Sequence, residues 1–363
     1  MPRKAASSME DAFLQAILER PDDDVPRLVF ADWLEEQGNP RGTFIRLQCQ
    51  RAKLTQYDPE WKQLLAQESA LLKQFEAEWS KTVLRWVDQA EYRRGFIEHV
   101  RVSATKLLKN GKRLLQAAPV CSVRLERPDR LSDLGECSWF ARVIELDLNR
   151  QLIGGKSLQS LLQSEHCQSL RVLRLDRCNL LDHSIQFLAN TPTLRSLRTL
   201  SLAGNSVGSS SVLFLARSAH LTELRELRLS ENHLGVEGAI ALCSQPTFRL
   251  TTLDLGSNDI GNDGAAALAR CPQLADLRRL DLPTNAVGNL GLEALIRSPY
   301  VLNLEQLNLY HNHVSSRGVQ LLSDSAFAAK LSFLDLRSNE IDKTTLATVR
   351  NRLESPRLRE LLV

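Results

Sequence analysis

One phrase recurs eight times in this chain: an apolar residue, two spacers, apolar, one spacer, apolar, two spacers, then usually Asn. The copies start at Val143, Leu170, Leu197, Leu224, Leu250, Leu277, Leu304 and Leu331, 26 or 27 residues apart. A ninth starts at Leu358 and runs to Val363. A unit this short cannot bury an apolar face by itself. Copies must stack side by side, and a stack of identical units is a solenoid with one extended binding surface.

The copy from Leu250 reads Leu-Thr-Thr-Leu-Asp-Leu-Gly-Ser-Asn-Asp-Ile. Leu253 and Leu255 are two apart and share one face of a short strand, while Asp254 between them points the other way. Asn258 falls where the chain must leave the strand. A side-chain amide carries both donor and acceptor, so stacked amides can satisfy the backbone of a buried turn. Asn205, Asn232, Asn285, Asn312 and Asn339 hold the same position and are expected to form a ladder with Asn258. The return limb reads as a helix, with Gly238/Leu242, Gly264/Leu268, Gly291/Leu295 and Gly318/Leu322 at matching offsets and helix formers such as Ala265 to Ala267 between.

These residues resemble the leucine-rich repeat of the ribonuclease-inhibitor type, LxxLxLxxNxL followed by GxxxL. The resemblance covers about residues 143–363. It implies an α/β solenoid shaped as a horseshoe, with parallel strands on the concave face and helices on the convex face. Gln151 and Cys178 replace the Asn in the first two copies, where atypical capping repeats are expected, and Cys178 reads as a structural thiol. Residues 97–142 carry the strand half of the phrase twice without Asn, at Ile97 and Val120, and read as two degenerate leading repeats.

Residues 1–50 look different. Ser7 and Glu10 form a capping-box pattern ahead of Phe13, Leu14, Ile17 and Leu18. The run Pro21-Asp22-Asp23-Asp24 breaks that helix, and Asp23 or Asp24 is placed to cap a second, whose apolar stripe is Leu28, Val29, Trp33 and Leu34. Consecutive carboxylates lack the alternate spacing of a calcium loop. Gly38 ends the second helix, and a third carries Phe44, Ile45 and Leu47. Asp32 is expected to pair with Arg27 or Arg46 in a buried ion pair.

Residues 12–48, AFLQAILERPDDDVPRLVFADWLEEQGNPRGTFIRLQ, resemble the bacterial repeat-companion domain, a short helical module found ahead of repeat arrays. The resemblance rests on Pro21, Asp22, Asp23, Arg27, Leu28, Ala31, Asp32, Trp33, Leu34, Glu36, Gly38, Arg41 and Gly42. It implies a bacterial origin; the family's biochemical role is undefined, so no active site is carried over. Residues 51–96 read as an amphipathic helical linker, with Trp61, Leu64, Leu65, Leu72, Phe75, Trp79, Val83 and Trp86 on the inner face, covering the open edge of the first strand.

Composition narrows the function. No apolar run approaches the ~20 residues of a membrane span, and Glu10 and Asp11 interrupt the start of the chain where a secretory signal needs an apolar core. Seven scattered cysteines without a CxxC pair read as reduced thiols, hence a cytoplasmic protein. Over residues 143–363, 23 basic residues face 22 acidic ones. That balance does not favour nucleic acid, and the column Arg171, Arg198, Arg225 and Arg278 lacks the regular aromatics that stack bases. It reads as a solvated margin paired with Glu226 or Glu231. No metal or cofactor motif occurs, and His311 and His313 lack a nucleophile at fixed spacing.

The expectation is a non-enzymatic scaffold that binds a protein on the concave face. The alternative is an enzyme regulator of ribonuclease-inhibitor-like or GTPase-activating kind. Side chains between the leucines line that face, and Arg228, Asp254, Asp281, Tyr310, Phe333 and Asp335 are the candidate contacts, with a solvated polar face as the competing reading. The strand from Leu358 presents an open edge, where either weak self-association or a short, frayed edge is expected.

Overall fold

Three buried leucines per copy dictate the local structure. In the copy from Leu250, Leu250, Leu253 and Leu255 have no exposed surface, so the backbone between them is held extended with alternate side chains on opposite sides. The computed structural model describes residues 2–21, 23–54, 58–244, 247–353 and 358–363. It divides into two compact units, residues 1–146 and 147–363.

The first unit holds α1 (Pro2–Glu19), α2 (Val25–Glu36), α3 (Pro40–Arg51), α4 (Pro59–Trp79), β1 (Gln89–Arg93), β2 (Phe96–Ser103), α5 (Ala104–Ala117), β3 (Ser122–Glu126) and α6 (Leu131–Gly135). Strand β4 (Glu145–Asp147) lies at the boundary. The second unit alternates α7 (Gly155–Gln163), β5 (Val172–Arg174), α8 (Asp182–Ala189), β6 (Thr199–Ser201), α9 (Ser209–Ala216), β7 (Glu226–Arg228) and α10 (Gly235–Leu242). It continues with β8 (Thr252–Asp254), α11 (Gly261–Ala269), β9 (Arg279–Asp281), α12 (Asn289–Ile296), β10 (Gln306–Asn308), α13 (Ser316–Ser323), β11 (Phe333–Asp335), α14 (Lys343–Leu353) and β12 (Glu360–Leu362).

In the first unit, Phe30, Ala31 and Leu34 of α2 meet Ile17 of α1 and Ile45 and Cys49 of α3, and Phe96 of β2 is inserted among them. The Phe30 and Phe96 rings stack at 6.0 Å. At Gly42 a side chain is excluded, because a Cβ there would sit 2.5 Å from the Ala31 carbonyl oxygen; that contact lets α2 and α3 pack closely.

Several expectations for this unit are corrected. Helix α1 begins at Pro2, a residue suited to a first turn, so Ser7 and Glu10 lie within it and do not cap it. The stripe of α2 is Arg27, Phe30, Ala31 and Leu34, a clean i, i+3, i+4, i+7 set, while Val29 is 49 % exposed. Asp23 does accept from the Val25 amide at 2.9 Å. Asp24 is in a helical conformation that turns its carboxylate away from the helix amides, and it faces Arg94 at 3.4 Å. Asp22 lies outside the described residues.

Asp32 pairs with Arg46 as one of the two options foresaw, but at the surface, with Asp32 61 % exposed. The buried pair is Arg27 with Glu98, because Arg27 shares the inward stripe. Burial pushes the Glu98 carboxyl up and the Arg27 guanidinium down, and their mutual attraction opposes both. Residues 89–92 are strand, not helix. Strand β1 pairs antiparallel with β2, with a bulge between Glu91 and Tyr92, so a strand covers the edge that helix α4 was expected to cover. The α4 side chains Trp61, Leu64, Leu65, Leu72, Phe75 and Trp79 are only half-buried.

In the second unit the strands pair in parallel and in chain order. Leu173, Leu200, Leu227, Leu253, Leu280, Leu307 and Leu334 stand in register from β5 to β11, and β12 adds Leu361 beside Leu334. Each helix returns behind the strands. In α10 to α13 a glycine permits the approach: a Cβ on Gly264 would lie 2.5 Å from Ile260 Cγ2, and one on Gly318 would lie 2.3 Å from Asn289 Oδ1.

The turn after each strand is built the same way. The residue before the Asn position takes a left-handed backbone: Arg177 (φ 55°), Gly204 (64°), Glu231 (56°), Ser257 (52°), Thr284 (54°), His311 (54°) and Ser338 (56°). The next side chain then reaches back into the stack. Asn285 is 1 % exposed. Its Oδ1 accepts from the Asn258 and Ile260 amides at 3.0 and 3.2 Å, and its Nδ2 donates to the Leu255 and Pro283 carbonyls at 2.9 and 3.1 Å. Asn205, Asn232, Asn258, Asn312 and Asn339 repeat this pattern. Cys178 fills the slot with a single donor, its Sγ to the Leu148 carbonyl at 3.1 Å, and burial raises its thiol to about 11.

Two substitutions in one turn test this account. Asn285→Ala leaves the Asn258 and Ile260 amides in the interior without partners, while the Leu255 and Pro283 carbonyls keep the Asn258 Nδ2 and Ser257 N donors, and should destabilise by about 3 kcal/mol. Thr284→Gly relieves a left-handed β-branched residue whose side chain is exposed and should stabilise by about 1 kcal/mol. Urea unfolding of both variants checks the opposite signs.

Candidate protein-interaction surface

The strand layer of the second unit presents two rows of side chains to solvent. The residue between the second and third leucines of each copy forms the first row. Register places Arg228 beside Asp254, Asp254 beside Asp281, Asp281 beside Asn308 and Asn308 beside Asp335. The residue after the third leucine forms the second row, which includes Ser230, Gly256, Pro283, Tyr310 and Arg337.

The six candidate contacts thus share one face, but they are not equally available. Arg228 and Tyr310 are exposed, Asp254 and Phe333 are half-buried, and Asp281 and Asp335 are 7 % and 3 % exposed. The acids are occupied. Asp335 receives Arg337 through Nε at 3.0 Å and Nη2 at 2.6 Å, and Asp281 receives Arg279 Nε at 2.6 Å. Arg228 itself is held by Glu226, Nε to Oε1 at 2.6 Å.

A second bond explains why Asp and Asn recur here. Four accept from the backbone amide two residues on: Asp147 from Asn149 at 2.8 Å, Asp254 from Gly256 at 3.0 Å, Asn308 from Tyr310 at 3.0 Å and Asp335 from Arg337 at 3.1 Å; Asp281 has Pro283 there, which carries no N–H. This is the local side-chain turn that Asx residues form readily. Sequence reasoning read these carboxylates as contacts and missed their part in ending the strand; the signal was their recurrence at one repeat position.

Beside these pairs the face exposes an aromatic ring. Tyr310 is 40 % exposed, Arg337 lies over its ring at 5.5 Å, and the His311 ring is 6.0 Å away. Phe333 follows on the neighbouring strand. The arginine margin is also present: Arg225, Arg249 and Arg278 border a shallow cavity of about 300 Å³ with Thr251, Asp276 and Asn303. Its partners are not the expected ones. Arg225 meets Glu223 at 3.5 Å and Arg278 meets Glu305 at 3.0 Å, whereas Glu226 and Glu231 are taken by Arg228 and Arg177. Arg278 thus pairs with the matching position of the next copy, and Arg225 with a residue just before its own strand.

Among the described residues, no group of three or more His, Cys, Asp or Glu is placed to hold a metal ion, and no helix is long and apolar enough to cross a membrane.

Comparison with known proteins agrees with the repeat. A family model described as Leucine Rich repeat matches residues 220–243 and 250–269. A crystal structure of an internalin from Listeria monocytogenes is similar with a TM-score of 0.43 and 19 % identity, over 69 % of this chain and 69 % of that one. No curated protein matches. With its in-register parallel strands, returning helices and amide ladder, the array is an α/β leucine-rich repeat solenoid, a scaffold of the kind that offers extended surfaces to protein partners.

One residue of the face gives a test by pH. Burial pushes the Asp254 carboxyl up, Asp281 adds repulsion, and the Gly256 amide and Ser230 hydroxyl oppose both. A carboxyl raised in the folded state binds its proton more tightly there than when unfolded. The associated stability is therefore full at low pH and is lost as pH rises through the folded value. Asp254→Asn keeps the acceptor for Gly256 and removes the charge, so Tm at pH 7 should rise by about 1–4 °C. The gain should vanish below about pH 3.5, where the unfolded aspartate is also protonated. Thermal unfolding across pH checks the sign.

Proposed function

We propose that this protein is a non-catalytic scaffold that binds a protein partner on the strand face of its repeat array, with Tyr310 at the centre of the contact. The observation that carries the reading is the pairing pattern. Asp281 and Asp335 are neutralised by Arg279 and Arg337, and Asp254 is held by the Ser230 hydroxyl and the Gly256 amide, which leaves the exposed Tyr310 ring under the Arg337 guanidinium. Aromatic and arginine side chains dominate the energetics of protein interfaces, and neutral centres desolvate cheaply. The breadth of a repeat surface suits a protein better than a small molecule.

The same proposal takes residues 12–48 as a repeat-companion module of bacterial type, a reading supported by three consecutive helices over the residues that carry the resemblance. It places the protein in a reducing, cytoplasmic setting, supported by seven scattered cysteines.

Tyr310→Ala removes the ring while leaving its backbone bond to Asn308 intact. Tagged wild-type and variant proteins, purified from the native cell at equal Tm, should differ by the loss of at least one co-purifying protein, with affinity reduced about 30-fold or more in direct binding. Identical sets of partners bound at equal affinity would refute the placement.

A further inference from the structure

Within the first unit there is a cavity of about 660 Å³ that the repeat array does not use. Its volume lies in the range of small-molecule sites. The apolar walls come from Leu14, Phe30, Leu34, Phe75, Trp79 and Phe96, drawn from three helices and a strand. The half-burial of Phe75 and Trp79 on α4 is explained by this opening, since the aromatic end of their stripe borders a space instead of packed protein.

One cation stands in the wall. Arg41, at the first turn of α3, has its guanidinium over the Phe96 ring at 5.2 Å. Its Nε is buried without a hydrogen-bond partner, and no described carboxylate forms an ion pair with it. Every other large cation of the surrounding core is paired: Arg27 and Arg94 with Glu98, Arg51 with Glu68, Arg46 with Asp32 and Glu35. Burial pushes the Arg41 guanidinium down from its ordinary value, against weaker attraction from Tyr92 and Glu10. A partly desolvated guanidinium with no carboxylate paired to it is costly unless something else supplies the anion. The amino-terminal end of α3 adds its partial positive charge at the same wall, where Asn39 and Pro40 also border the cavity.

The mouth limits the anion. Glu10, Asp11 and Glu78 line the cavity and are exposed, so a multiply charged ligand such as a phosphate ester meets repulsion at the rim. We propose that this cavity binds a small monocarboxylate with an aryl or alkyl body, the carboxylate taken by the Arg41 guanidinium and the body packed against Phe30, Phe75, Trp79 and Phe96.

Isothermal titration of the full chain with 3-phenylpropionate, indole-3-propionate and decanoate, each beside its alcohol, tests this. At least one carboxylate should bind at millimolar concentration or better, about tenfold or more tighter than its alcohol. Arg41→Met should erase that difference and keep or raise Tm, since Arg41 has no ion pair to lose. Arg41→Lys should retain part of it. Ala117→Phe, on an exposed residue of the cavity wall, should block carboxylate and alcohol alike without touching the cation. Absence of binding across the panel, carboxylate binding unchanged in Arg41→Met, or binding indifferent to Ala117→Phe would each overturn the assignment.

Discussion

The repeat array depends on a buried side-chain amide. Where each strand ends, the chain must turn inside the stack, and its amides and carbonyls there cannot reach water. Asn258 and Asn285, each 1 % exposed, supply donors to the carbonyls of their own turn and the preceding one, and acceptors to amides of the preceding copy. Each amide therefore joins two copies, and the stack is satisfied only as a whole. The same dependence explains the constancy of the spacing. An added residue would move the amide off its partners and rotate the strand leucines out of the core.

That geometry has a local cost in the left-handed residue before each amide. Only Gly204 among these positions suits the conformation; Thr284, Glu231 and His311 adopt it nonetheless. Hydrogen bonds across neighbouring copies hold them there, as in Thr284 N to the Tyr310 carbonyl at 2.9 Å. Stacking thus overrides intrinsic backbone preference. The face that results is quiet in its acids and open in Tyr310, so the chemistry offered to a partner differs from what a tally of charged residues suggests.

In the first unit the controlling feature is buried charge. Arg27, with no exposed surface, is answered by Glu98 across a sequence distance of 71 residues. Together with Phe96 it ties the helical module to the first strands. Arg41 is half-buried, its Nε enclosed without a hydrogen-bond partner, and no described carboxylate pairs with it. That difference separates a structural ion pair from a cation available to a ligand.

Periodicity made the solenoid legible without coordinates. Leucines two apart define a strand, a constant interval defines a stack, and an Asn at a fixed offset defines the turn, because each is a local or repeated constraint. The helices around Phe13, Phe30 and Phe44 were legible for the same reason. What required tertiary structure was every relation between residues far apart in the chain. The pairing of Arg27 with Glu98, the closing of the β2 edge by β1, the neutralisation of Asp281 and Asp335, and the cavity at Arg41 all depend on which side chains the fold brings together. A pattern along one strand says which way a carboxylate points; only packing decides whether an arginine is waiting for it.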